Sequence, residues 1–286
     1  MDSDLNASGD KISARKSLIR IRLGQWTEGQ LKKSQWEPLA GVSHREVGVA
    51  APADLYLGYG PVAPPTGGRS ATLKANAAIQ SGEHTTFAIA FPDEHAPLIE
   101  QALCLMDRFG AVGGRSRNSW GSYGLVPTDG SPLSGIVPVR DWKDCLQLDW
   151  PHAVGCDTKG ALIWQTKPAA DWRSLMRDLA ILKIALRTQF EFPNQSSDGE
   201  IHERHWLSYP IKNHSVRAWG NNARLPNSLR FKVRPTAEGK LVGVVFHMPC
   251  LPPASFAPDT AAIKSVWAKV HAFLDAPAQN LTRVKA

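Results

Sequence analysis

Residues 109–124 read FGAVGGRSRNSWGSYG, five glycines around Arg115 and Arg117 with aromatic rings at both ends. Glycine costs backbone entropy on folding, so such a cluster implies a sharp bend or a close approach by another group. The paired arginines imply that this group is anionic. Exposed N–H groups of a glycine-rich turn can donate to phosphate oxygens. Arg115 and Arg117, two apart in an extended chain, would project to one side and engage neighbouring phosphates. Trp120 and Tyr123 could then stack on a base or ribose, the way single-stranded RNA is held without sequence reading. Core packing of Trp120 is an equal alternative. A nucleotide-binding loop would instead follow a strand, open a helix and carry a Walker lysine or G-x-G-x-x-G spacing. Here the lysine is absent, and the expected order is helix, loop, strand. A loop whose glycines only permit turns is the third reading.

Other chemistry-bearing residues have weaker spacing. EIHERH (200–205) sets His202 and His205 three apart beside Glu200 and Glu203. It is not H-E-x-x-H and offers no third ligand, so a charged segment in which Arg204 matters more than the imidazoles fits better. Acid–base cleavage of RNA needs a base near the 2′-hydroxyl and a group stabilising the leaving oxygen. His44, His84 and Asp54 are of the right types, but none has an evident partner. Cys104, Cys145, Cys156 and Cys250 form neither C-x-x-C nor zinc spacing and read as reduced thiols. No catalytic residue, cofactor or metal site is indicated.

The elements that must position the loop can be read from the pattern. SLIRIRL (17–23) predicts a strand with Arg20 and Arg22 on a solvated face, and ADLYLGYGPVAPPTGGRS (53–70) begins as a strand and dissolves into a long loop. HTTFAIAF (84–91) alternates as a strand. Pro92, Asp93 and Glu94 then start a helix with an apolar face of Leu98, Ile99, Ala102, Leu103, Leu105, Met106 and Phe109, and Gly110 stops it. WGSYGLVP re-enters a sheet. GSPLSGIVPVR (130–140) connects, GALIWQT (160–166) is a strand, and a helix follows from 171 to 190. Trp172, Leu175, Met176, Leu179, Leu182 and Leu186 form its buried stripe, with Arg173, Arg177, Lys183 and Arg187 on other faces. SLRFKVRP (228–235) and KLVGVVFHM (240–248) predict a hairpin, and 259–275 a last helix. Helices mixed with hairpins favour an α+β fold over a parallel α/β sheet.

Composition sets the wider bounds. The 286 residues are 43% hydrophobic, enough for two domains, and Lys and Arg exceed Asp and Glu by 33 to 26. The net charge of +7 favours polyanionic partners. MDSDLNASGDK lacks the basic and apolar stretches of a secretory signal, and no run is apolar enough to span a bilayer, so a cytoplasmic protein without a membrane partner is expected.

RFGAVGGRSRNSWGSYGL resembles the glycine-rich loop of the RAMP superfamily of CRISPR effector subunits, G-G-[ILV]-G-x-R-S-[RK]-[RK]-G-[FW]-G-S after a helix. The likeness is closest to subunit one of the Cmr (type III-B) complex. Gly110, Gly113, Arg115, Ser116, Arg117, Trp120, Gly121 and Ser122 fall on the pattern; Asn118 and Ser119 replace its usual basic residue and glycine. YLGYGP (56–61) and ARLPNSLRFKV (223–233) are similar to two further family segments.

The resemblance implies tandem ferredoxin-like (RRM-like) domains. Residues 1–16 would be a mobile N-terminus, 17–135 a partial domain carrying the loop, 136–159 a connector and 160–286 the second domain. The first domain lacks the family's initial strand and arginine-tryptophan helix, a piece that a separate chain could supply. The implied function is RNA binding in a type III CRISPR ribonucleoprotein for antiviral defence, with guide RNA (crRNA), target RNA and other RAMP subunits as partners. Gly110, Gly113, Gly114 and Gly121 would admit the backbone, and Arg115, Ser116, Arg117, Trp120, Tyr56 and Tyr59 would contact it. The alternatives are a RAMP-type endoribonuclease and a split fragment acting as scaffold.

Overall fold

The computed structural model describes residues 17–286 apart from 25–28, 47, 49, 67–69, 75–76, 195 and 221, so the segment 1–16 lies outside the described residues. The fold is mixed α+β with several small sheets. In chain order the elements that matter here are β1 (Arg20–Leu23), α1 (Ala53–Gly58), β2 (Phe87–Ala90), α2 (Ala96–Phe109), β3 (Val139–Asp141), α3 (Trp142–Cys145) and β4 (Val154–Asp157). Then come β5 (Ile163–Thr166), α4 (Trp172–Thr188), β6 (Leu229–Pro235), β7 (Leu241–His247), α5 (Thr260–Asp275) and β8 (Leu281–Arg283).

The largest sheet has strand order β6-β7-β5-β8 with every neighbouring pair antiparallel, placing Phe231 opposite Val245 and Val245 opposite Trp164. The chain therefore runs strand, helix, strand, strand, helix, strand through this unit, and the long 228–248 hairpin forms as its alternation predicts. Aspartates start both helices: the Asp171 carboxylate accepts from the Ser174 N–H, and that of Asp259 from the N–H groups of Ala261 and Ala262. Alternate residues of the sheet bury on opposite sides. Leu229, Phe231, Val245 and Trp164 join one core with Leu175, Leu179, Val266 and Val270 of α4 and α5. Val242, Val244, Phe246 and Ile163 join a second core with Val137 and Val154, against which Leu105 and Phe109 of α2 pack. Both faces are covered, which is why β7 is apolar almost throughout.

The first half meets the second through the larger core. Ala53 and Leu57, one helical turn apart on α1, are fully buried in it together with Leu39 and Val42. This pairing corrects the strand expected at 53: the period is helical, and Tyr59 and Gly60 end it. β1 pairs with β2, and Arg20 and Arg22 are exposed as expected. The apolar face predicted for α2 is narrower in the structure, with Ile99 and Cys104 buried and Leu98 exposed. The strand expected in WGSYGLVP does not form; Ser122 bridges Ala111 within the loop itself. No helix among the described residues is long and apolar enough to cross a membrane.

Candidate nucleic-acid interface

The glycine loop begins where α2 ends, with the Gly110 N–H donating to the Met106 carbonyl. Val112 N–H to Gly121 carbonyl, 2.9 Å, closes the segment into a collar. Gly113 and Gly121 take φ of +81° and +67°, and a side chain at Gly121 would collide with the Val112 carbonyl. Arg115 and Ser119 also adopt positive φ, +61° and +72°, and the Asn118 N–H closes a turn onto the Arg115 carbonyl. Residues 117–119 then run beside edge strand β6: Phe231 N–H donates to the Arg117 carbonyl and Ser119 N–H to the Phe231 carbonyl, each 3.0 Å. The Val233 N–H donates to Ser122 Oγ. The loop thus covers an otherwise open sheet edge.

Alternation along β6 puts Arg230, Lys232 and Arg234 on the side facing α2 and the loop. Lys232, almost wholly buried, donates to the carbonyls of Met106, Asp107 and Gly110 and caps the C-terminus of α2. Burial brings its ammonium down to about 8, although the nearby Asp107 charge acts the other way. Its ammonium also lies 4.9 Å from the Tyr123 ring centre. Arg234 pairs with Asp107. Arg230 has no such partner at Nε, which is buried and unbonded. With Arg117 it lines a cavity of about 130 Å³, along with Asn227, Ser228, Trp206 and Asp149. Burial and then the Arg117 charge hold the Arg230 guanidinium below its ordinary value.

YLGYGP lies directly against the loop. Arg115 Nε donates to the Tyr59 carbonyl, and Asn118 Nδ2 donates to that of Leu57 at 2.9 Å. A side chain at Gly58 would come 2.7 Å from the Trp120 ring, and one at Gly114 2.7 Å from Pro61. Those glycines are required by contact between two chain segments as well as by turns.

Several expectations change here. Arg115 and Arg117 do not face the same way, because the turn between them is not extended. Arg115 turns to Tyr59 and to the charges of Lys183 and Arg187, whereas Arg117 turns to Arg230. Trp120 is a packing residue, 5.9 Å from the Trp36 ring and 5.6 Å from that of Trp172, with its Nε1 buried and unbonded. Tyr56 is also turned inward, beside Lys183 and His44. Tyr59, 57% exposed, keeps an accessible ring. Ser116 is half-buried, and Gly113, Gly114, Arg115, Arg117 and Gly121 are exposed.

Lys183, expected on an outer face of α4, is buried and donates to Asn118 Oδ1 at 2.6 Å. Asn118 is thus the partner that a buried lysine requires. Arg204 is buried as well, paired with Glu46 at 2.5 Å.

The nuclease candidates do not assemble. Asp54 is buried and accepts from the Leu55 N–H, the His44 ring lies tilted beside that of Tyr56, and His84 lines a separate surface cleft with Gln30 and Gln80. His202 pairs with Asp198, and His205 bonds the His202 N–H and the His214 carbonyl. Among the described residues no group of three or more His, Cys, Asp or Glu is arranged to hold a metal ion.

Sequence reasoning missed a buried relay in which Ser228 Oγ bonds His247 Nε2 and His247 Nδ1 bonds His271 Nε2, both 2.9 Å. Burial pushes His271 down to about 4 and His247 well below its usual range. So weakened, the pair is suited to anchoring β7 on α5 rather than to taking protons at neutral pH. No sequence spacing reveals it, since 228, 247 and 271 meet only through tertiary packing. Comparison with family models, with curated proteins and with solved structures gives no match to this chain.

Proposed function

We propose that this chain is a non-catalytic RNA-binding subunit of the RAMP type, working in a type III CRISPR ribonucleoprotein. The observation that carries this reading is the convergence of Arg117, from the glycine loop, and Arg230, from β6, on one small cavity. Two guanidiniums that repel one another favour an anion between them. The cavity's size suits one phosphate or base edge rather than a large cofactor. Exposed Tyr59 and Arg115 lie on the loop's other flank, so a strand laid over residues 113–117 would meet a cation on each side.

The topology is in keeping with this reading. The β-α-β-β-α-β run with order β6-β7-β5-β8 supports the ferredoxin-like arrangement proposed for the second domain. The loop also follows a helix, as the family pattern has it. The partners so proposed are guide RNA, target RNA and neighbouring RAMP subunits, in the cytoplasm.

The test is the affinity of the full chain for single-stranded RNA across a salt series. Arg115→Ala combined with Arg117→Ala is expected to weaken binding about equally across sequences. The log–log salt slope should fall by roughly 0.7 for each lost phosphate contact. A folded double variant with unchanged affinity and slope would sink the clamp.

A further inference from the structure

A second group of cations lies on the opposite flank of the loop. Lys183 and Arg187 from α4 and Arg204 from the 200–206 segment lie near Tyr56 of α1, and Arg115 from the loop adds its charge to those of Lys183 and Arg187. Lys183 is 8% exposed and Arg204 5% exposed. The Lys183 ammonium lies 5.8 Å from the Tyr56 ring centre, and the Arg204 guanidinium 5.5 Å from that of Phe192. The Nε atoms of both Arg187 and Arg204 are buried and unbonded.

The charge does not balance. Among the described residues the carboxylate paired with the group is Glu46, on Arg204. Burial, then the Arg187 and Arg115 charges, all push the Lys183 ammonium well below the ordinary lysine range. Arg187 is lowered by burial and by Arg204 and Arg115, against opposing effects of Tyr56 and Glu46. His44, at the edge of the group, is lowered chiefly by burial and also by Arg204 and Arg187, while Glu46 opposes.

An unpaired charge in the interior costs several kcal/mol. Deprotonating Lys183 would remove one charge, but guanidiniums do not deprotonate. Arg187 and Arg204, with buried Nε atoms, would still face one glutamate, and the exposed Arg115 adds its charge beside them. A bound anion would balance them.

We propose that this cluster is a binding site for one phosphate group, held by Lys183, Arg187 and Arg204 with Arg115 as its outer cation. A phosphate monoester carries up to two charges near neutrality and has oxygens for several donors at once, matching the guanidinium forks. A carboxylate would leave more of the charge uncompensated. The source is either inorganic phosphate or the phosphate of a nucleotide. The site shares Arg115 with the RNA clamp but lies apart from the clamp cavity lined by Arg117 and Arg230.

The test titrates the full chain by calorimetry in phosphate-free buffer at constant ionic strength, with inorganic phosphate, adenosine monophosphate and adenosine as probes. Saturable phosphate binding is expected to persist in Arg117→Ala, which removes the contribution of the clamp cavity, and in that background to be at least tenfold weaker with Arg187→Met. Monophosphate binding at least tenfold tighter than inorganic phosphate, with adenosine inert, assigns a nucleotide; equal affinities assign the free ion. Lys183→Met provides the folding control. By removing a buried charge it is expected to keep or raise the melting temperature without phosphate, and to lose the stabilisation that phosphate gives the unaltered chain. No saturable binding to the unaltered chain, or folded Arg187→Met and Lys183→Met variants that respond as their parent chains do, would overturn the site. Loss of phosphate binding in Arg117→Ala would merge it with the clamp and overturn it as a separate site.

Discussion

At the scale of single residues, the glycine loop is held by close approaches that leave no space for side chains. Gly121→Ala places a methyl group against the Val112 carbonyl at a φ that L-residues rarely adopt. It is expected to lower stability by about 1–3 kcal/mol, read as a shift in denaturation midpoint. Gly113→Ala has the same sign of φ and open space around it, so it should cost less. Much of this was legible in the sequence, because a dense glycine cluster already implies tight turns and close approaches. The directions of Arg115 and Arg117 were not. Sequence spacing puts them on one side only if the chain is extended, and the turn closed by Asn118 N–H separates them. Trp120 was equally ambiguous: an indole after a polar loop can stack outward or pack inward, and Gly58 and Trp172 decide for packing.

At the scale of elements, the loop and the second half are joined by β6. Its apolar residues bury under α4 and α5, and its cations reach the other way to cap α2 and line the cavity. Lys232→Met should leave the carbonyls of Met106, Asp107 and Gly110 without their donor, destabilising the protein by about 1–3 kcal/mol. Hydrogen exchange of residues 106–112 should rise more than that of α5. The 228–248 hairpin and α4 were readable because their periods are long and regular. α1 was not, since six residues with a helical period of one turn cannot be told from a strand until α4 is there to bury Ala53 and Leu57. Nor does amphipathicity identify Lys183 as buried. A lysine beside a leucine stripe reads as solvated until Asn118 arrives from another segment as its partner.

At the scale of the whole molecule, the C-terminal strand is tied to the sheet and α5 by an ionic network. Arg283 engages Asp157 and Asp275, and Trp164 Nε1 and Lys159 also donate to Asp275. Burial alone would raise the Asp275 carboxyl; the hydrogen bonds from Arg283, Trp164 and Lys159 outweigh it and bring it to about 2. A carboxyl depressed in the folded state contributes stability that is fully present above its unfolded value and is lost as pH falls through its folded value. Stability measured by chemical denaturation should therefore decline from about pH 4 towards pH 2, and Arg283→Ala should flatten that part of the profile. The α+β class was readable from the order of helices and hairpins, whereas the joining of both halves in one core depends on contacts far apart in the chain. The central claim is that RNA lies across the glycine loop, and photocrosslinking of the full chain to thiouridine-substituted single-stranded RNA, mapped by mass spectrometry, tests it most directly. Crosslinks concentrated at Tyr59, at residues 113–117 and around the Arg117–Arg230 cavity are predicted. RNA that binds tightly but crosslinks only elsewhere would contradict the account.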